Sequence, residues 1–483
     1  MTSSGGNNND GYQHPLAGRY ASKTMQAVFS ARNRFTTWRR LWIALAESQR
    51  ELGLEIDSAQ IQALRDGLEE LDLEQAADYE RRFRHDVMAH VHLYGDVAPS
   101  AAGILHLGAT SAYVADNADL ILHKQALQLV RARLLRVIRV LAEFAQRHRA
   151  TPTLGFTHFQ PAQPTTVGKR ATLWIQDFLL DLEEVDFRLG RLRLRGAKGT
   201  TGTQASFLQL FKGDHDRVER LDAMVAEKMG FSERYGVTGQ TYPRKTDQAL
   251  LATLAGIGAS ASKFGNDLRL LAHLKEVEEP YESEQIGSSA MPYKRNPMRA
   301  ERMCGLARHA ITLSQDAAFT AATQWLERSL DDSANKRVSV PDAYLTVDGV
   351  LVLAENVSDG LIVNESVVRA RLVEELPFMS MEPVLMAATA KGGDRQVLHE
   401  RIRVHARAAA ERLKNGADDN DLLDRVAGDP DFRMDRNALE ALMDPDAFVG
   451  RAPQQVDQFL ASWVSPALSG LDQQVPLDAE VRV

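Results

Sequence analysis

The sequence has one cysteine, Cys304, among its 483 residues. A single thiol excludes an intrachain disulfide, and it excludes zinc and iron–sulfur sites that need several cysteines. This cysteine usage is consistent with a reducing cytosol. We expect Cys304 to act as a small, partly buried apolar residue.

Long apolar runs are absent as well. No segment approaches the roughly 20 consecutive apolar residues that a membrane-spanning helix needs. Residues 1–11 lack the basic and apolar parts of a signal peptide, so we predict a disordered tail there. These absences favour a soluble, cytoplasmic protein.

The chain has no excess of positive charge. Lys and Arg together number 57 against 65 for Asp and Glu, which gives a net charge of −8. The overall balance therefore favours neither nucleic acid nor an anionic membrane as a partner. Any anionic ligand must be bound by a local cluster of cationic side chains.

Strand-like alternation is scarce, whereas helical periodicity is strong in the middle of the chain. Apolar residues recur at three- and four-residue steps in five long segments, 114–149, 164–194, 245–277, 298–325 and 341–361. Pro164 is well placed as the first residue of the second helix. Aligned helices of this length predict an elongated bundle. Because several of them are apolar on more than one side, we expect oligomerisation, with a thick monomeric bundle as the alternative.

Shorter helical patterns flank this bundle. Before it they cover 35–52, 58–71 and 74–93, and after residue 365 they are broken repeatedly by glycine and proline. Small residues between Ala255 and Ser262 predict a close approach of neighbouring helices. The sequence therefore predicts an all-α fold of three domains, with boundaries 1–110, 111–363 and 364–483.

The segment from Gly287 to Pro297 is the most informative part of the chain. Its sequence, Gly-Ser-Ser-Ala-Met-Pro-Tyr-Lys-Arg-Asn-Pro, disfavours a helix interior or a strand. A serine near a lysine on such a loop can remove a weakly acidic C–H proton once substrate carboxylates are held beside it. An ordinary polar turn is the alternative.

Two histidine-containing segments are further candidates. Residues 84–92 include three histidines, which are consistent with a metal site, with structural histidines, or with substrate contact by His85. His158 lies in the break between two long helices, where it is placed to act as a general acid. Glu301 could hold its other ring nitrogen, and a loop histidine bonded to a backbone carbonyl is the alternative.

Polar junctions at helix ends complete the candidates. Ser111 is predicted to be the N-cap of the first long helix, with Thr110 pointing outward, and an exposed helix N-terminus suits a carboxylate or a phosphate. Arg328, Ser333 and Arg337 could form a phosphate clamp or a solvated charged face. The glycine-rich stretch 196–206 lacks the spacing of a P-loop or a dinucleotide-binding motif.

The segment from Gly287 to Pro297 resembles the signature of the fumarase/aspartase superfamily, Gly-Ser-Ser-x-Met-Pro-x-Lys-x-Asn-Pro, and matches it at every fixed position. Within that superfamily the chain is similar to the adenylosuccinate lyase family, of the longer, vertebrate-like type. The segments that carry this narrower resemblance are 19–22, 84–92, 110–111, 157–163, 198–204 and 330–335.

The resemblance implies a homotetramer whose central bundles pack into one helical core, with active sites assembled from three subunits. It implies release of fumarate from adenylosuccinate, giving AMP, and from the succinylated aminoimidazole carboxamide ribotide SAICAR, giving AICAR. No metal or organic cofactor is expected. No nucleic-acid or membrane partner is expected either.

The resemblance also implies roles for individual residues. Ser288 corresponds to the general base and His158 to the general acid, with Glu301 orienting His158 and with Lys294 and His85 completing the catalytic set. The residues expected to bind the substrate are Arg19, Tyr20, Arg84, Asp86, Thr110, Ser111, Gln240, Asn296, Arg302, Arg328, Ser333 and Arg337.

Two other functions remain open from the residues. Argininosuccinate lyase and fumarase share the superfamily signature but need no phosphate clamp, so Arg328, Ser333 and Arg337 argue against them. A nucleotide-binding regulator or a structural oligomer built on the same bundle is the other alternative. Loss of His158, Ser288 or Lys294 would be expected in such a protein, and none is lost.

Overall fold

Helices are the main secondary structure in the computed structural model, which describes residues 11–469. The predicted tail therefore lies outside the described residues, except for Gly11. In the described part there are two small sheets of two strands each. The prediction of an all-α fold is confirmed. No helix within residues 11–469 combines the length and apolar character needed to cross a bilayer.

The helices before residue 110 are mostly short. They comprise a π-helical turn (Leu16–Tyr20), α1 (Lys23–Val28), α2 (Ala31–Glu51), α3 (Ser58–Asp66), α4 (Leu73–Phe83), α5 (Asp86–Val97) and a 3₁₀ segment (Pro99–Ile104). The single helix predicted over 74–93 is wrong, because Arg84 adopts a left-handed φ of 53° between α4 and α5. This break leaves His85 at the N-cap of α5.

The middle of the chain contains five long helices. Its elements are α6 (Ser111–Arg147), β1 (Pro152–Thr157), β2 (Gln160–Thr166), α7 (Val167–Arg191), α8 (Ala205–Leu210), α9 (His215–Lys228), α10 (Lys245–His273), β3 (Val277–Glu278), α11 (Met298–Ala322) and α12 (Asp331–Asp359). Pro164 does not begin a helix, because it pairs with Leu154 in the β1–β2 hairpin. Pro341 does not begin one either, since α12 starts ten residues earlier and packing against α6 and α11 offsets the backbone bond that proline lacks.

The five long helices alternate in direction. Side chains pair Arg131 with Asp186 between α6 and α7, and Trp174 with Asp267 between α7 and α10. At one end of the bundle α6, α10 and α12 begin, and we call this the Ser111 end. At the other end they finish, and we call this the Arg147 end. The 29 residues of α10 separate the two ends by about 43 Å.

Glycines in α10 allow α11 to approach closely. A Cβ added at Gly258 would lie 3.2 Å from the Ala307 carbonyl oxygen, and one added at Gly265 would lie 2.7 Å from the sulfur of Cys304. A larger side chain at Gly265 would force the two helices apart. The predicted close packing along this small-residue stretch is confirmed, and Cys304 is buried at the contact.

Four hydrophobic clusters form the core of the described residues. The largest lies in the bundle, a second joins α2, α3 and α5 to the start of α6 and to α9, a third lies in the C-terminal helices, and a small fourth joins α4 to α5. The remaining elements are β4 (Ile362–Val363), α13 (Glu365–Met379), α14 (Met381–Ala390), α15 (Arg395–Lys414), α16 (Leu422–Ala427), α17 (Arg436–Glu440), α18 (Ala452–Phe459), α19 (Ser465–Leu468) and short segments at Pro430–Phe432, Pro445–Phe448 and Leu460–Val464. The domain boundaries at 110 and 363 stay predictions.

Two histidines that pack beside the second cluster, His90 and His106, predict that the protein loses stability in acid. Burial lowers the pKa of His90 and of His106 to about 4, and Trp42 donates a hydrogen bond to Nδ1 of His106 at 2.9 Å. Above pH 6.5 both rings are neutral in the folded and unfolded chains. As the pH falls from 6.5 to 4, the unfolded chain binds protons before the folded chain does. Each histidine therefore lowers the free energy of unfolding by about 1.4 kcal/mol for each pH unit of that fall.

Urea denaturation between pH 4.5 and 7.5 measures this effect. The double variant His90→Leu, His106→Asn should show a shallower loss of stability, whereas His92→Asn, at an exposed position, should keep the wild-type slope. An unchanged slope in the double variant would assign the acid sensitivity to other groups.

Candidate active site

The loop from Gly287 to Pro297 is folded back on itself. Asn296 donates a side-chain hydrogen bond to the Gly287 carbonyl at 2.7 Å, and Ser288 Oγ accepts one from the Met291 amide at 3.1 Å. A Cβ at Gly287 would lie 2.1 Å from the Lys294 carbonyl oxygen, so only glycine fits there. The Lys294 side chain is exposed. The expectation that this segment is neither helix nor strand is confirmed.

A buried glutamate fixes the base of this loop. Glu279 accepts hydrogen bonds from the backbone amides of Arg299 and Ala300, at 3.0 and 2.9 Å, and so satisfies the N-terminus of α11. Its burial raises the pKa of the carboxyl, and the two amide bonds oppose that rise. The sequence reasoning missed Glu279, because this residue precedes the start of α11 by 19 positions and nothing in the sequence links the two.

His158 occupies a strained turn at the Arg147 end. Strands β1 and β2 are joined by His158 and Phe159 alone, with φ values of 52° and 57°. A two-residue turn with both φ values positive normally takes Asn and Gly, so two bulky residues there store strain. The His158 side chain is exposed and has no hydrogen-bond partner among the described residues. Such a turn presents the imidazole outward in a defined position.

The pairing of His158 with Glu301 stays a prediction. Glu301 lies in the first turn of α11, close to Arg302, and its side chain is exposed. No hydrogen bond or ion pair joins it to His158 within the described part of one chain.

A second group of candidates gathers at the Ser111 end. His85 accepts a hydrogen bond at Nδ1 from the Met88 amide, and its Nε2 lies 3.3 Å from Ser111 Oγ. Because Nδ1 accepts, the proton of the neutral ring is on Nε2 and points to Ser111. Thr110, not Ser111, is the N-cap of α6, since Thr110 is extended and Ser111 is already helical.

The three residues proposed as a clamp line one small cavity at this end. Arg328, Ser333 and Arg337 all border it, and each arginine also contacts a carboxylate of its own chain. Arg328 donates to Asp332 at 3.2 Å and Arg337 donates to Asp86 at 2.6 Å. A ligand phosphate would therefore share these guanidinium groups with fixed anions.

Gln240 lies beside the same group. Its amide donates to the Glu327 carbonyl at 3.0 Å, next to Arg328, and its side chain donates to the Thr200 carbonyl at 3.0 Å. Arg84 is exposed in its left-handed turn next to His85. The Ser111 end thus collects most of the residues expected to bind substrate.

Arg19 and Tyr20 lie elsewhere in the chain. The Tyr20 backbone packs against Gly349, which follows Arg337 by twelve residues of α12, or about 18 Å. Arg19 is exposed at this midpoint of the bundle. Within one chain the predicted site residues therefore form three groups, at the Ser111 end, at the midpoint and at the Arg147 end.

The three histidines of residues 84–92 do not converge. His90 is buried and stacks on Phe35 with ring centroids 3.8 Å apart, whereas His92 packs against Phe83 at 4.7 Å. Only His85 reaches another candidate residue. Within residues 11–469 no group of three His, Cys, Asp or Glu side chains is arranged to hold a metal ion.

Sequence reasoning also missed a buried ionic network at the Ser111 end. Some members, such as Asp116 and His123, interrupt an apolar helical pattern, whereas Asp332 and Lys336 belong to the polar stretch 328–337 that was taken as a clamp or a solvated face. The full set of members is Asp116, Asp119, His123, Arg244, Asp247, Asp332 and Lys336. Lys336 and its neighbours lower the pKa of Asp247 against the opposing effect of burial.

Comparison with known proteins decides the family. A family model described as a lyase matches residues 18–312, and one described as the adenylosuccinate lyase C-terminus matches residues 377–459. The chain is 52% identical to the adenylosuccinate lyase of Saccharomyces cerevisiae over 97% of this chain and 99% of that protein. This chain belongs to the adenylosuccinate lyase family.

Other adenylosuccinate lyases match over similar lengths. The Schizosaccharomyces pombe enzyme is 50% identical over 95% of this chain and 96% of its own. The Schistosoma mansoni enzyme is 45% identical over 98% and 99%. The adenylosuccinate lyase resemblance stated from the sequence motifs is thus confirmed along nearly the whole chain.

Solved structures support the fold of this adenylosuccinate lyase family member. The 3-carboxy-cis,cis-muconate lactonizing enzyme of Pseudomonas putida superposes with a TM-score of 0.79 at 24% identity, over 95% of this chain and 98% of its own. A fumarate lyase of Mesorhizobium gives 0.79 at 23% identity, over 95% and 99%. At these identities the likeness concerns the fold alone.

Proposed function

We propose that the protein is a carbon–nitrogen lyase that releases fumarate from adenylosuccinate, giving AMP, and from SAICAR, giving AICAR. The observation that carries this proposal is the 52% identity to an adenylosuccinate lyase across nearly the entire chain. Every residue of the resembling motifs is also present, including Ser288, Lys294 and His158. We infer purine nucleotide synthesis in the cytoplasm as its setting.

The proposed reaction begins at the signature loop. Ser288 removes the proton from the carbon beside a succinyl carboxylate, and the electron pair spreads onto that carboxylate. Lys294 and Asn296 meet the doubly negative intermediate as its charge develops, which stabilises the transition state more than the substrate. His158 then gives its proton to the nitrogen as the carbon–nitrogen bond breaks and fumarate forms. Closure of the loop over the substrate would exclude water.

Substrate binding uses the other groups. In the proposal His85, Thr110, Ser111 and Gln240 hold the succinyl part, with Arg84 and Asp86 beside them. The phosphate is bound by Arg19, Tyr20, Arg328, Ser333 and Arg337, with Arg302 nearby. The clustering of Arg328, Ser333 and Arg337 around one cavity favours a phosphate-bearing substrate over argininosuccinate or malate.

The separation of these groups favours a shared site. One small substrate cannot span the roughly 43 Å between the two ends of α10. We infer that a homotetramer assembles each site from three subunits, each supplying one group. No organic cofactor or metal is part of this proposal.

A row of exposed apolar side chains on α7 supports assembly. Leu173, Leu180 and Phe187 recur every seven residues and are about half exposed in the single chain. The double variant Leu180→Glu, Phe187→Glu should dissociate the oligomer and lose more than about nine tenths of its activity, because separate chains lack complete sites.

Light scattering and fumarate release measure the two effects together. Val397→Glu, at a similarly exposed position in the C-terminal helices, should change neither. An active monomer of the double variant would contradict the shared site.

The proposed activity is tested with the purified wild-type protein and adenylosuccinate. Incubation with adenylosuccinate should release fumarate and AMP in equal amounts, as seen by proton NMR. Argininosuccinate and malate should give no product. A folded oligomer that releases no fumarate from saturating adenylosuccinate would instead favour a binding or structural role.

A further inference from the structure

A buried ionic network lies directly behind Arg328 at the Ser111 end. Arg244 donates from Nε to Asp332 Oδ2 at 2.5 Å and from Nη2 to Asp116 Oδ1 at 3.0 Å. Arg328 donates from Nη1 to the same oxygen of Asp332 at 3.2 Å. Asp332 is fully buried and Arg244 is 4% exposed. Arg328 itself is partly exposed, and the carboxylate of Asp332 that holds it is not screened by solvent.

The same network fixes the neighbouring backbone. The Tyr242 amide donates to Asp116 Oδ2 at 2.8 Å, and the Arg244 guanidinium lies 4.3 Å from the centre of the Tyr242 ring. Gln240 is two residues earlier, and its own amide bonds to Glu327, the residue before Arg328. One set of buried charges thus ties together the two segments that carry Gln240 and Arg328.

Four charged groups of the network meet around Asp332. Two carboxylates, Asp116 and Asp332, face two guanidinium groups, Arg244 and Arg328. Neutralising Asp332 would leave Arg244 with Asp116 as its hydrogen-bonded carboxylate, and Arg328 would lose its fixed acceptor. Buried ion pairs add little to stability compared with apolar packing, so orienting a neighbouring group is a reason to keep one here.

We propose that Asp332 and Arg244 are positioning residues, which hold Arg328 in the orientation that binds the 5′-phosphate of the nucleotide. This inference rests on the proposed function. Both residues also line the cavity that Arg328, Ser333 and Arg337 border, and in this proposal they act on the phosphate through Arg328 rather than by contacting it. Their effect is therefore on binding of the phosphate group, not on the proton transfers by Ser288 and His158.

The variant Asp332→Asn keeps the shape of the side chain and removes its charge. We expect the dissociation constant of AMP to rise about tenfold and the KM of adenylosuccinate to rise with it, because a charge-assisted hydrogen bond that orients Arg328 is lost. We expect kcat to stay within about threefold of wild type. Adenosine, which lacks the phosphate, should bind within about twofold of its wild-type affinity. Calorimetry with AMP and with adenosine separates these effects.

The control is Asp429→Asn, which alters a buried carboxylate in the C-terminal cluster that pairs with His405. It should lower the melting temperature without changing AMP affinity. If Asp332→Asn does not fold, Arg244→Lys serves instead, since lysine keeps one positive charge but contacts only one of the two aspartates.

Three results would overturn the inference while the wild type still releases fumarate. These are unchanged AMP affinity in the folded variant, equal weakening of AMP and adenosine, and a loss confined to kcat. A wild-type protein that releases no fumarate would count against the proposed function instead.

Discussion

Ser288→Ala should reduce turnover of adenylosuccinate by about a thousandfold or more, since the variant has no group to take the carbon-bound proton. The fold should survive, because Ser288 contributes only one side-chain hydrogen bond, to Met291, while Asn296 still ties the loop to Gly287. KM should change little, as the base acts in the transition state. Steady-state fumarate release and circular dichroism measure these outcomes.

Ser289→Ala is the matched control for this change. It alters the adjacent hydroxyl in the same loop, at an exposed position, and should keep activity within a few-fold of wild type. Near-normal turnover by Ser288→Ala would remove Ser288 from the role of base. Equal losses in both variants would point to damage of the loop as a whole.

Mixing two inactive variants should restore activity. His158→Ala and Ser288→Ala are each expected to be inactive, but subunit exchange creates sites that take an intact His158 from one chain and an intact Ser288 from another. For random equal mixing, about one quarter of the sites should be complete, so about one quarter of the wild-type rate should return.

Subunit exchange has to be verified by mass spectrometry of differently tagged chains. His158→Ala mixed with itself under the same treatment is the control for refolding artefacts. If hybrids are confirmed but no activity returns, His158 and Ser288 of one site come from the same chain.

The long helices could be predicted from the sequence because their burial repeats with the helical period. Segments 114–149 and 245–277 correspond to α6 and α10 within a few residues. The shorter errors have local causes. The hairpin around His158 carries no Asn-Gly turn signal, and Arg84 breaks a helix by adopting a conformation that arginine seldom takes.

The candidate site could be predicted only in part. Its residues, and the grouping of His85 with Ser111, came from motif resemblance and not from any pattern in the residues themselves. The network around Asp332 was missed because the polar stretch 328–337 gives no sign that Asp332 is buried or that its partner, Arg244, lies 88 residues away. Periodicity reports which face is buried, not which charges meet there.

The alternating course of the five long helices has a consequence for variants of this protein. In the proposed tetramer, a chain that sends its loop residues to one end and its clamp residues to the other would supply different reaction centres of the same assembly. One defective copy would then impair several centres at once, and we expect a mixture of normal and mutant chains to lose activity in a pattern that depends on which end is altered.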